Sequence, residues 1–133
     1  MSRNVNRREL LLAGAGAAWL GSGVISRAVG ASAKAPKKIL YFTKSSGFQH
    51  SVITRQGEAL AHSEKILTEI GKEHGFDVVA SKDGRLFEPD KIGEWDGFVF
   101  CTTGDLTTPG TDKTPPLSAD GEQAFLDAGG FAG

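Results

Sequence analysis

Two short polar turns contain the residues of this chain that could do chemistry. The first spans residues 44–51 and includes His50, a side chain that can both accept and donate a proton near neutral pH. The second spans residues 102–105 and offers hydroxyls, a glycine and a carboxylate. His50 is therefore the candidate general acid or base. The candidate substrate-binding residues around it are Gly47, Phe48, Gln49, Thr103, Gly104 and Asp105.

Several of these residues also have a purely structural interpretation. His50 could organise its turn by hydrogen bonding to the backbone, and Gly47 could serve only to adopt a positive φ. Asp105 could accept hydrogen bonds in an Asx-type turn or at a helix cap. The sequence alone leaves these alternatives open.

The other reactive side chains of the chain are weaker candidates for catalysis. Cys101 lies in an apolar run rather than at a glycine-flanked turn, which favours a buried small side chain over a nucleophile. His62 and His74 are expected on a helix, and Trp95 is expected to pack. No H-x-H or C-x-x-C spacing suggests a metal site, and no GxGxxG or GxxxxGK pattern suggests a phosphate site. No cofactor is assigned.

The elements that must position the two turns form an α/β unit. Apolar runs predict strands over residues 39–43, 76–80 and 98–102, and their continuous pattern is typical of parallel strands covered on both faces. Helical periodicity predicts helices over 54–73 and 119–128, the second capped by Ser118. Residues 86–92 are either a short helix or irregular, and residues 103–116 form a long polar loop.

A strand order of 2-1-3 would bring the turns after the first and third strands together. At such a switch point they would face each other across one crevice. The predicted fold is an open parallel sheet with helices on both faces. Residues 129–133 would begin a fourth strand. About three to four strands leave one edge bare, so the sheet is expected to be incomplete.

Residues 1–33 are predicted to be an export signal. The pair Arg7 and Arg8 precedes an apolar stretch over 10–25, and residues 31–33 form a small-x-small cleavage motif. The pattern resembles a bacterial twin-arginine signal, which implies a periplasmic or extracytoplasmic location and the twin-arginine translocation machinery as a partner. The stretch is shorter than the roughly 20 residues of a spanning helix, so no stable membrane span is expected. The alternative is an uncleaved, lipid-facing tether.

The charge and the cysteine content of the chain argue against a nucleic-acid-binding protein and against a disulfide-stabilised one. The net charge is −1 overall, and because residues 1–33 hold four arginines and one glutamate, the remaining residues carry a net charge of −4. A mildly acidic domain of this kind is not expected to bind nucleic acid. The single cysteine excludes an internal disulfide.

Two segments resemble the ThuA-like, or trehalose-utilisation, family. They are residues 38–51, which contain Ser-Gly-Phe-Gln-His-Ser, and residues 98–106, which contain Thr-Thr-Gly-Asp-Leu. The resemblance covers residues 37–133, so residues 34–133 would be the N-terminal part of a ThuA-like domain. It implies a flavodoxin-like fold of the class I glutamine amidotransferase-like superfamily, generally without that superfamily's nucleophilic cysteine. Gln49 departs from the family, in which arginine is common at this position, and the family continues past Gly133 into further strands.

The resemblance also implies a role in carbohydrate utilisation, with trehalose or 3-keto-disaccharides as the substrate type. The leading interpretation is an exported protein that acts on a small-molecule carbohydrate, with His50 transferring the proton. One alternative is a non-catalytic carbohydrate- or partner-binding domain on the same fold. Another is an inactive, truncated fragment.

Overall fold

A sheet of three parallel strands organises the part of the chain that the computed structural model describes, residues 34–129. The strands are β1 (Lys37–Phe42), β2 (Phe76–Ser81) and β3 (Gly97–Phe100). The helices are α1 (His62–His74) and α2 (Ala119–Asp127). Short 3-10 helices occupy Ser51–Ile53, Gly84–Phe87 and Ile92–Glu94. The order β2-β1-β3 confirms the predicted 2-1-3 topology, and the sheet is consistent with an incomplete flavodoxin-like fold.

β1 is the central strand of the sheet. It pairs with β2 along its whole length and with β3 from Ile39 to Phe42. Leu40 and Phe42 are fully buried. Because successive side chains of a strand point to opposite faces, a strand covered on both sides needs an unbroken apolar run, which is what β1 supplies.

The two helices cover opposite faces of the sheet. On one face, the Tyr41 hydroxyl donates a hydrogen bond of 3.1 Å to Ser63 Oγ of α1. On the other face, the Phe42 ring packs edge to face on Phe87 with centroids 4.8 Å apart. Phe125 of α2 packs in the same way on Phe98, at 5.1 Å. Such pairs contribute about 0.5–1.5 kcal/mol each beyond their buried area. Helices on both faces, as predicted, therefore enclose β1.

The prediction of a helix over residues 54–73 placed its start eight residues too early. α1 begins at His62, and the residues before it form an irregular connection that contains a bridge between Gln56 and Ala59. The connection folds around the buried carboxylate of Glu64, which accepts hydrogen bonds from Ala61 N and from the Arg55 side chain. A continuous helix would not allow these contacts. The helix ends at His74, and Gly75 forms the expected left-handed cap at φ 76°.

The other observed elements differ from the predicted ones by a few residues at their boundaries. The third strand ends at Phe100, two residues earlier than predicted, so Cys101 lies just beyond it and is half-buried. Residues 86–92 do not form one helix, because separate 3-10 turns lie at Gly84–Phe87 and Ile92–Glu94. The predicted export signal and the start of a fourth strand lie outside the described residues. Within residues 34–129, neither helix is long and apolar enough to cross a membrane.

Ser118 begins α2 as predicted, since its Oγ accepts a hydrogen bond of 3.0 Å from Gly121 N. The same hydroxyl donates to Glu88 Oε1 at 2.6 Å.

We expect Ser118→Ala to lower the free energy of unfolding by about 1 kcal/mol, because a backbone N–H at the helix start loses its partner. Urea denaturation measures the change. Gln123→Ala, an exposed site on the same helix, should stay within about 0.5 kcal/mol. Equal losses for the two variants would contradict the cap assignment.

Candidate functional site

The two predicted turns meet at the carboxyl edge of the sheet. Ser46 N donates a hydrogen bond of 2.8 Å to the carbonyl oxygen of Thr103. The Thr103 hydroxyl donates in turn to the carbonyl oxygen of Phe48. The hydroxyls of Ser46 and Thr108 share a further hydrogen bond of 2.6 Å. The turns therefore contact each other directly, where the sequence predicted an open crevice between them.

Gly104 makes this close contact possible. Its φ is +75°, and a Cβ at this position would overlap the carbonyl oxygen of Ser46. Gly47 also has a positive φ, +93°, but a Cβ there would meet nothing within 4 Å. The role of Gly47 that the structure shows is thus conformational, whereas Gly104 is required both by its φ and by the approach of the other turn.

His50 and Phe48 are the exposed aromatic side chains of the first turn. Phe48 is 69% exposed, and its ring packs edge to face on the His50 imidazole with centroids 4.9 Å apart. The turn is organised by the carbonyl oxygen of His50, which accepts from Ile53 N and from the Thr54 hydroxyl. Among the described residues, no hydrogen bond to the imidazole is formed, so the ring is available to a ligand.

Asp105 accepts local hydrogen bonds, as one of its structural interpretations predicted. Its Oδ1 accepts from Thr107 N at 2.9 Å and from the Thr107 hydroxyl at 2.6 Å, which is an Asx-type turn. The hydrogen bonds from Thr107 lower the pKa of Asp105. The residue is exposed. The carboxylate is thus ionised and held in place, with Oδ2 left for a ligand.

A polar cleft of about 670 Å³ lies beside the paired turns. Its walls come from residues 49–57, 81–83 and 111–115, which are parts of the connections that follow β1, β2 and β3. Of the residues predicted to form the site, Gln49 alone lines this cleft. Ligands of open α/β sheets bind outside the carboxyl ends of the strands, and the cleft occupies that position.

Lys82 links all three of the connections that form the walls of the cleft. Its side chain is buried, and Nζ donates to the carbonyl oxygens of Thr43 at 2.9 Å and Ile53 at 2.8 Å. Nζ also lies 3.5 Å from Asp112 Oδ2. One ammonium group thereby connects the end of β1, the connection after it and the long loop after β3.

Arg55 is held by a fully buried carboxylate. Its Nε lies 2.7 Å from Glu64 Oε2, and its Nη2 donates to the carbonyl oxygen of Ala80 at 3.0 Å. Glu64 Oε1 accepts a further hydrogen bond of 2.5 Å from the Thr43 hydroxyl. Burial raises the pKa of Glu64, but the hydrogen bonds from Arg55 and Thr43 outweigh it, and the pKa is lowered. Glu64 is thus an ionised anchor for the guanidinium group in the cleft wall.

Lys44 fastens the long loop to the end of β1. The residue is fully buried, and its Nζ donates a hydrogen bond of 3.2 Å to the carbonyl oxygen of Thr114. Burial lowers the pKa of Lys44. Nearby, Ser45 Oγ and Gln49 Oε1 are buried without a hydrogen-bond partner among the described residues.

Sequence reasoning missed Arg55 and Lys82, which line the cleft, and Glu64 and Lys44, which hold its walls in place. Lys44 directly follows one predicted strand and Lys82 lies two residues after another, and because ligands of open α/β sheets bind at the carboxyl ends of strands, these positions were a weak signal. Glu64 gave none, because its partner at the helix start is Ala61 and a capping box is read from serine or threonine. His62 and His74 are exposed on α1 and line neither the paired turns nor the cleft beside them.

Within residues 34–129, no three His, Cys, Asp or Glu side chains come together as a metal site would require. Comparisons with protein-family models, with curated proteins and with solved structures found no match to this chain.

Proposed function

We propose that this protein belongs to the ThuA-like family and acts, after export, on a carbohydrate of the trehalose or 3-keto-disaccharide type. The observation that carries the proposal is the exposed His50 imidazole beside the exposed Phe48 ring, on a turn held at the carboxyl edge of the sheet. An aromatic ring offers an apolar surface for the C–H face of a sugar, while an imidazole can transfer a proton to or from a hydroxyl.

The neighbouring groups suit the same role. Asp105 Oδ2 can accept a hydrogen bond from a sugar hydroxyl, and the residue is already oriented by Thr107. Gly47, at which a Cβ would meet no atom within 4 Å, leaves the backbone of the first turn unobstructed. The Thr103 hydroxyl positions the first turn through its hydrogen bond to Phe48, so its contribution is to orient the Phe48–His50 pair.

We expect His50→Ala to lower the turnover of 3-keto-trehalose or trehalose by at least about 100-fold, because a positioned general acid or base contributes about 10²–10⁴-fold. Sugar binding should persist, since the imidazole has no structural hydrogen bond to lose. The measurement is product formation by chromatography, with binding followed by calorimetry on the same full chain. His62→Ala, which removes an exposed histidine from α1, is the matched control and should retain full turnover.

The polar cleft favours a second candidate, a carbohydrate-binding domain without catalysis. The cleft holds several hydrogen-bonding side chains, yet His50 does not line it. If the wild-type chain binds the sugar and forms no product, and His50→Ala binds it equally well, the protein is such a binding domain. Turnover that survives in His50→Ala would instead exclude His50 as the proton-transfer residue.

A further inference from the structure

We propose that the cleft beside the paired turns is the ligand-binding site, and that the ligand is a neutral polyhydroxylated molecule. This proposal rests on the carbohydrate function given above and assigns its binding site. The cleft meets the site at Gln49, the residue before His50. A sugar seated here would lie next to the first turn.

The charges of the cleft are already paired within the protein. Arg55 pairs with Glu64, Lys82 with Asp112, and Asp83 with Arg85, whose Nη2 lies 2.7 Å from Asp83 Oδ2. A charged ligand would have to break one of these pairs, and removing a partner from a buried charge is costly. A neutral ligand needs only the hydrogen-bonding capacity that the uncharged side chains of the cleft offer. The paired charges of the cleft wall therefore favour a neutral ligand over a charged one.

The remaining lining groups match hydroxyls. Thr54 and Thr111 are exposed, and Ser81 and Thr114 are half-buried. The Thr54, Thr111 and Thr114 hydroxyls already donate within the protein, to the carbonyl oxygens of His50 and Gly47 and to a carboxylate, so their remaining lone pairs can accept hydrogen bonds from the hydroxyls of a sugar. The Gln49 amide nitrogen donates to the Thr54 hydroxyl at 3.2 Å, whereas its Oε1 is buried and has no partner within the described chain. Rotation of this amide toward a ligand hydroxyl would give the oxygen a donor.

Size and rigidity agree with this assignment. A volume of about 670 Å³ lies within the roughly 300–1,000 Å³ of small-molecule sites. The walls are held in place by Lys82, which bonds two backbone carbonyls, and by Arg55, which bonds Glu64 and Ala80. Groups that are fixed before the ligand arrives lose little freedom on binding, which favours affinity.

The test is calorimetric titration of the full chain with two probes that share one carbon skeleton, trehalose and trehalose 6-phosphate. We expect trehalose to bind and the added phosphate to weaken binding at least about 10-fold, because no cation of the wall is free to receive it. Gln49→Leu keeps the side-chain size but removes the amide, and should weaken trehalose binding by a similar factor. Glu58→Gln, an exposed change in the same connection, should leave it unaltered.

If Gln49→Leu does not fold, NMR of the wild-type chain tests the same binding site. Trehalose should shift the backbone amide resonances of residues 81–83 and 111–114, which face the cleft from two other connections. Shifts confined to residues 47–50 and 103–105 would place the sugar on the paired turns and overturn this inference while leaving the proposed function intact. Tighter binding of the phosphate ester would also overturn it. The absence of any sugar binding would overturn both proposals.

Discussion

Glu64→Ala is expected to lower the free energy of unfolding by about 3–5 kcal/mol, the range found when one partner of a buried ion pair is removed. The carboxylate is fully buried and accepts hydrogen bonds from the Arg55 guanidinium, the Thr43 hydroxyl and Ala61 N. The Thr43 hydroxyl and Ala61 N, both buried, would lose their acceptor in a place where water does not replace it. A loss of this size is a large part of the roughly 5–15 kcal/mol that stabilises a typical domain.

Urea denaturation followed by circular dichroism measures the loss. The matched control is Glu69→Ala, because Glu69 is an exposed glutamate on the same helix and its removal should change stability by no more than about 0.5 kcal/mol. If both variants lose the same stability, the loss does not come from the buried contacts of Glu64, and Glu64 is not an anchor.

The same carboxylate predicts a pH dependence. The folded-state pKa of Glu64 is lowered relative to its ordinary value of 4.5. Its stabilisation is therefore fully present above about pH 4.5 and is lost as the pH falls through the lower folded pKa. The stability gap between wild type and Glu64→Gln should be widest near neutral pH and should narrow below about pH 4.5. A gap that stays constant down to about pH 3 would argue against an ionised Glu64.

Gly104→Ala is expected to lower the free energy of unfolding by about 2–5 kcal/mol and to separate the two turns. Part of the loss is the strain of a side chain at φ +75°, about 1–2 kcal/mol. The rest arises because the new Cβ would overlap the Ser46 carbonyl oxygen, and overpacking typically costs about 1–3 kcal/mol. The displaced turn should also weaken sugar binding, since Thr103 would release Phe48.

Gly57→Ala separates the two contributions to this loss. Gly57 has a φ of +62°, similar to that of Gly104, but a Cβ there meets no atom within 4 Å. We expect it to cost about 1–2 kcal/mol from strain alone. Thermal melts and urea curves of the two variants give the difference. Equal losses would mean that the contact between the turns contributes nothing to stability.

The fold could be predicted from the sequence to a large extent. The apolar runs located all three strands to within a few residues, and Gly75 and Ser118 marked a helix end and a helix start correctly. The main error was the start of α1, because residues 54–61 have helical periodicity but are held in an irregular path by Arg55 and Glu64. A tertiary ion pair overrode a local pattern there.

The site was predictable only in part. The sequence placed the two turns at the same edge of the sheet, and they do meet there. It did not indicate that Ser46 and Thr103 would close the space between them, nor that a cleft would open beside them. Apart from its position shortly after a predicted strand, nothing local distinguishes Lys82, whose ammonium is buried, from Lys72 on the exposed face of α1.

The sequence by itself determined the α/β class and the positions of the strands, the helix caps and the two turns, because apolar periodicity, caps and turn glycines act over a few residues. Only the tertiary structure decided which charges are buried and where the cleft lies. The decisive contacts join distant residues, such as Lys44 with Thr114, 70 positions apart, and Lys82 with Thr43, 39 apart. Such pairings depend on how the connections after all three strands pack together, which no local pattern encodes.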